Sequence, residues 1–201
     1  KEVGYSPKFF PVIHSTGDMA VQIVTSGPDT EHEQIKMTYL ENDFVRPNGR
    51  ILDPNAVLHT DGSIHEALKL ALLSGVKSPY PKYLTNQIHL LVYWATYSFA
   101  AELDEYGARI EAYENGFIHA KTMIIDGGIV SVGSANIDVR SFRLDFEVNT
   151  LIYDERMASR VRKAFFEDSK ISTHLTKEVY ENRGMMIKMK EGLARLISPL
   201  L

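Results

Sequence analysis

Apolar positions along the chain change period several times, and each change marks an element. Ala20-Val21-Gln22-Ile23-Val24-Thr25 is a β-branched run closed by Ser26-Gly27-Pro28, which predicts a strand ending in a turn. Residues 31–43 lack Gly and Pro and space Ile35, Tyr39 and Leu40 for a helix. The stretch 44–62, with Pro47, Gly49, Pro54 and Asp61-Gly62, reads as a long irregular connection. Ser63 with Glu66 forms a capping box, and Ile64, Ala67, Leu68, Ala71 and Leu72 make one apolar helix face ended by Gly75. Pro79 and Pro81 predict irregular chain over 77–86. Ile88, Leu91, Val92, Ala95, Phe99 and Leu103 then repeat at three and four, a long helix stopped at Gly107. Four strands follow, at 109–113, 117–125, 129–132 and 146–153, with Asp126-Gly127-Gly128 as a hairpin turn. From Glu155 onward the pattern is helical. Strands and helices mix along the chain with no internal repeat, which places it in the α/β class as a single domain over 1–201.

Composition removes several classes of function. The 201 residues are 44% hydrophobic and 24% charged, as in ordinary globular domains. Lys and Arg number 22 against 26 Asp and Glu, a net charge of −4, which disfavours a broad basic nucleic-acid surface. No cysteine is present, so disulfides, thiolate metal sites and cysteine nucleophiles are excluded. His14, His32, His59, His65 and His174 are scattered without metal-ligand spacing and read as surface or loop residues; no metal or cofactor is expected. No run of apolar residues is long enough to span a bilayer and no signal peptide is visible. The chain opens at Lys1, so we expect a piece of a longer protein.

The chemistry concentrates in Phe117-Ile118-His119-Ala120-Lys121-Thr122-Met123-Ile124-Ile125-Asp126. Strand alternation puts His119 and Lys121 on the face shared by Phe117, Met123 and Ile125. Two polar groups on an apolar face need partners. A phosphate suits both, since imidazole attacks phosphorus and ammonium neutralises its oxygens. Beyond the hairpin, Gly133 permits close backbone approach, and Ser134 and Asn136 offer hydrogen bonds to an oxyanion. Glu147 and Asn149 share a face of the next strand, and a carboxylate beside a histidine fixes its tautomer. Asp126, at the turn and of opposite parity, is read equally as a turn residue and as a catalytic one.

Taken together, His119-x-Lys121-x-x-x-x-Asp126, Gly133-Ser134-x-Asn136 and Glu147 resemble the HKD signature of the phospholipase D superfamily. Val92-Tyr93-Trp94-Ala95-Thr96, Tyr113-Glu114-Asn115-Gly116-Phe117, Asp138-Val139-Arg140-Ser141-Phe142 and the closing Arg195-Leu196-Ile197-Ser198-Pro199-Leu200-Leu201 narrow the resemblance to the C-terminal catalytic half of bacterial cardiolipin synthases. The likeness is close over 87–201, fair over 8–40 and poor over 44–86. It implies a mixed β-sheet flanked by helices, one half of a pseudo-two-fold pair. It also implies phosphatidyl transfer through a phosphohistidine at His119, without metal or cofactor. Lys121, Ser134 and Asn136 match the phosphate-holding positions, Glu147 the carboxylate that supports the histidine, and Asp126 the motif aspartate. The substrate implied is phosphatidylglycerol, two molecules giving cardiolipin and glycerol at the bacterial cytoplasmic membrane. The family uses two HKD motifs and this chain has one, so a second half is expected from an N-terminal domain or another copy.

Other readings stay open at this point. A single-motif phosphodiesterase or nuclease working as a homodimer uses the same residues, and a non-catalytic fragment uses none. His119 and Lys121 also suit a solvated edge strand, and Glu147 a surface charge. Arg140 is expected to pair with Asp138 or Asp145 rather than bind a head group, and His89 is a further pocket candidate. Met185 to Leu201 mixes Met and Leu with Lys188, Lys190 and Arg195. It reads as a helix whose apolar face serves the core, with a bilayer surface as the alternative.

Overall fold

A computed structural model describes residues 17–29, 33–41, 51–52, 61–75, 82–84, 90–116, 118–175 and 182–197. Its central layer is a five-stranded antiparallel sheet in the order β1-β7-β6-β5-β2. The strands are β1 (Ala20–Ser26), β2 (Ile51–Leu52), β5 (Thr122–Ile125), β6 (Ile129–Gly133) and β7 (Glu147–Tyr153). A smaller sheet, β3-β4-β8, joins β3 (Lys82–Leu84) in parallel and β8 (Ser172–His174) antiparallel to β4 (Ile110–Tyr113). Six helices accompany them among the described residues: α1 (Gln34–Tyr39), α2 (Gly62–Leu73), α3 (Leu90–Glu105), α4 (Val139–Arg143), α5 (Glu155–Ser169) and α6 (Met185–Ile197).

Strand alternation sorts the central sheet into two faces. Met123 and Ile125 of β5, Leu151 of β7 and Val24 of β1 bury against Ile35 and Tyr39 of α1, Ile64 of α2 and Leu103 of α3 in the main core. Ile124 and Val130 point the other way and pack on Ala158 and Phe165 of α5. β5 is thus covered on both sides, while His119 and Lys121 lie ahead of it, outside the strand.

Several expectations need correction. The strand expected over 117–125 begins only at Thr122, and 118–121 lead into it as non-strand backbone; Phe117 lies outside the described residues. Within the stretches expected to be irregular, Ile51–Leu52 pairs with β5 and Lys82–Leu84 with β4. β3 is an edge strand, and Pro81 stands just before its first residue, where a missing N–H breaks no central ladder. The uninterrupted helix expected after Glu155 is broken by β8. The cap of α2 is Asp61 and not Ser63: its Oδ1 accepts from the Ser63 N at 3.0 Å and from the Ile64 N at 3.4 Å. A carboxylate at this position also receives the buried Lys36 Nζ on Oδ2, at 3.1 Å, and so ties α2 to α1.

His65 is another correction. It is buried, with Nε2 3.2 Å from Glu102 Oε2, where a surface residue was expected. Burial alone would raise the Glu102 carboxyl, but hydrogen bonds from Lys69 and Arg195 bring it down to about 2. His174 is exposed as expected. His14, His32, His59 and His89 lie outside the described residues.

Candidate active site

Antiparallel order decides what meets what. β5 begins where β6 ends and where β7 begins, so Lys121, Gly133-Ser134 and Glu147 share one end of three adjacent strands. The Gly133 N donates to the Lys121 carbonyl at 3.1 Å, and the Ser134 N donates to the Val148 carbonyl at 3.0 Å. The Ser134 hydroxyl accepts from the Val148 N at 3.1 Å and is itself exposed, so the serine extends the β6–β7 ladder while facing solvent.

Only glycine fits at position 133. A Cβ there would lie 2.2 Å from Asn149 Oδ1 and 2.3 Å from the Val148 carbonyl oxygen. The space it leaves is filled by the buried Asn149 amide. Asn149 Oδ1 accepts from the Ala135 N at 3.1 Å, and Nδ2 donates to Tyr39 Oη at 2.6 Å and to Ser131 Oγ at 3.3 Å. Tyr39 Oη and Ser131 Oγ lie 2.9 Å apart and complete the network. It pins the 133–136 turn to the core, and with it the position of Ser134 and Asn136.

Asn136 is half-buried. Its backbone N donates to Ser141 Oγ at 3.2 Å, while its side-chain Oδ1 is buried with no hydrogen-bond partner among the described residues. An amide end kept dry and unpaired is costly unless something else completes it.

Lys121 is half-buried, and that desolvation pulls its ammonium below the ordinary lysine range, while Glu147 and Asp138 push it back up. Two carboxylates thus act on the Lys121 charge. Asp138 was not among the residues singled out from sequence for this role. It is almost fully buried and caps α4, accepting from the Ser141 N at 2.6 Å. Its signal was present: Asp138 followed three residues later by Ser141, after an Asn136 already under suspicion. His119 is exposed, two positions before Lys121 in the same lead-in segment. Arg140 pairs with Asp145, Nε to Oδ2 at 3.2 Å, and not with Asp138.

Asp126 is elsewhere. It opens the hairpin turn at the opposite end of β5, exposed and with φ +50°, and the Gly128 N closes the turn on the Ile125 carbonyl at 3.1 Å. Five of the six residues singled out therefore lie at or beside one end of the sheet, and Asp126 does not. Among the described residues no group of three or more His, Asp or Glu side chains is placed to hold a metal ion. No helix among them is long and apolar enough to cross a membrane.

Comparison with known proteins places the chain in a family. Residues 50–169 match the family described as "Cardiolipin synthase, PLD-like domain", a span that takes in most of the 44–86 stretch. The chain is 45% identical over 203 aligned residues to cardiolipin synthase of Listeria welshimeri, covering 100% of this chain and 41% of that protein. It is 44% identical over 198 residues to the major cardiolipin synthase of Bacillus subtilis, covering 98% of this chain and 40% of that one. The chain thus spans about two fifths of the length of these curated relatives. In fold it resembles Nuc, a phospholipase D family member of Salmonella typhimurium (TM-score 0.63, 17% identity, 79% of this chain and 99% of that one). It also resembles phosphatidylserine synthase of Haemophilus influenzae (TM-score 0.64, 13% identity, 90% of this chain and 46% of that one). At such identities these two likenesses speak for the fold alone. By sequence match and by fold, the chain belongs to the phospholipase D-like domain family of the cardiolipin synthases.

Proposed function

We propose that this chain is one catalytic half of a phosphatidyltransferase that joins two phosphatidylglycerol molecules into cardiolipin and glycerol. The observation that carries the reading is the gathering of Lys121, Ser134 and Glu147 at one end of β5–β6–β7, with His119 exposed beside them. An imidazole nitrogen of His119 attacks the phosphorus of the first phosphatidylglycerol. The P–O bond to its head-group glycerol breaks, and the departing oxygen takes a proton from an acid opposite. The phosphohistidine is then attacked by the glycerol hydroxyl of the second molecule, whose proton goes to the same group acting as base, and His119 is released. Lys121 neutralises the non-bridging oxygens, with Ser134 and Asn136 as further contacts. Glu147 steadies the charge that develops on the imidazole. Asp126 serves the hairpin.

The acid and base come from a second HKD half, supplied by an N-terminal domain or by another copy of the chain, the two related by a pseudo-two-fold axis. The full-length protein works at the bacterial cytoplasmic membrane, where its substrate resides, and no metal or cofactor enters the reaction. The experiment compares glycerol release from phosphatidylglycerol with nicking of DNA. Release by the paired halves, its loss in His119→Gln, and little turnover by the monomeric chain are the expected results. Turnover by a monomer, or DNA nicking without glycerol release, would overturn the reading; the latter would favour a homodimeric nuclease.

A further inference from the structure

Charged residues at helix α6 hold it to the domain, while most of its large apolar ones face away. The Arg183 guanidinium, just ahead of the helix, lies 4.1 Å from the Tyr97 ring centroid. Lys190 Nζ lies 5.1 Å over Trp94, and the Arg195 guanidinium lies 4.7 Å over Phe99 while pairing with Glu102. All four partners belong to α3. Small Ala194, fully buried, lets the two helices approach. The helix does pack on the domain, as expected, but the expectation that its apolar face serves the core is inverted.

Five large apolar residues face solvent. Met185 is 87% exposed, Leu196 78%, Met186 68%, Met189 62% and Leu193 58%. With 3.6 residues per turn these five positions fall on an arc of roughly a third of the helix circumference, with Lys188 to one side and Lys190 to the other. Residues 183–197 carry four cations (Arg183, Lys188, Lys190, Arg195) and one carboxylate (Glu191), in a chain whose net charge is −4.

We infer that the outer face of α6 docks on an anionic phospholipid bilayer. An exposed apolar stripe with lysine beside it suits that occupant: the apolar side chains enter the acyl boundary while the Lys188 ammonium stays among anionic head groups. The local surplus of cations over carboxylates, in a chain that is acidic overall, complements an anionic surface. The choice of an anionic lipid as partner rests on the phosphatidylglycerol reading above, but docking does not require His119.

Vesicle flotation tests the inference. The protein is mixed with phosphatidylcholine vesicles, either pure or containing about a third phosphatidylglycerol. The expected result is at least about tenfold tighter binding to the anionic vesicles. A Met185→Ser, Met189→Ser, Leu193→Ser triple variant loses about tenfold of that affinity, with its far-ultraviolet dichroism and thermal midpoint unchanged. Leu196→Trp binds several-fold more tightly and shifts its fluorescence to the blue on vesicles. Asp126→Asn, in the hairpin turn away from both sites, binds like wild type, and failure of the catalytic reading is seen separately, in glycerol release. Equal binding by wild type and triple variant, indifference to phosphatidylglycerol, or a blue-silent Leu196→Trp would each overturn the assignment. So would a wild-type dimer that the triple variant splits without any change in vesicle binding.

Discussion

At one end of the β5–β6 hairpin stand Lys121, Ser134 and the Asn149 network; at the other stands Asp126 in a three-residue turn. The two ends belong to a single stretch of text, His-x-Lys-x-x-x-x-Asp, yet their surroundings differ. The first end is partly desolvated, crossed by carboxylates and braced by buried hydrogen bonds from α1 and β7. The second is open to solvent, and its geometry is fixed by backbone conformation. The lesson is that residues recognised together need not act together. A four-residue strand lies between them, so the aspartate shapes the ladder that the lysine starts from.

The comparison breaks most directly at His119. In an active preparation His119→Gln is expected to lower glycerol release by ~10³ or more, with no change in thermal midpoint because the side chain is exposed. Loss of rate together with loss of stability would mean that this end is structural too. Next comes Gly133→Ala, whose methyl must displace the Asn149 amide or the Val148 carbonyl. We expect ~1–3 kcal/mol of destabilisation by denaturant titration, and a fall in rate as the 133–136 turn moves.

A subtler test uses pH. Burial lowers the Lys121 pKa while Glu147 and Asp138 raise it. Replacing Glu147 by Gln removes one of the raising charges, so Lys121 loses its proton at lower pH and the alkaline limb of the rate profile moves acidward. An unmoved limb would detach Glu147 from Lys121. The smallest effect is expected at the turn. Asp126→Asn keeps a residue that tolerates positive φ, and it should change the rate less than ~threefold and leave the alkaline limb in place.

Much of this was legible because a short continuous apolar run, such as Met123-Ile124-Ile125, marks a strand covered on both faces. Val24, Met123, Ile124, Ile125, Val130 and Leu151 announce the central sheet. The start of β5 was not legible. His119 and Lys121 alternate like strand residues, but the ladder ends where Gly133 closes on the Lys121 carbonyl and β6 has no further residue to offer. β2 and β3 were missed because two or three residues leave no period to read. Asp61 was passed over for the Ser63 capping box because a sequence does not reveal that Lys36 will lie buried against that carboxylate. For α6, periodicity identified an apolar face but not its direction, which the rings of α3 decide by holding cations.

One feature of the sheet reaches beyond the site. β1 pairs with β7 from Ala20↔Tyr153 to Ser26↔Glu147, across well over a hundred residues of intervening chain. During synthesis β1 must therefore wait without its ladder partner until the ribosome has delivered β7. The same pairing seats Glu147 opposite Ser26 at the end of the sheet. A nascent chain stalled before β7 would leave β1 without its ladder partner, an open edge free to pair with other chains.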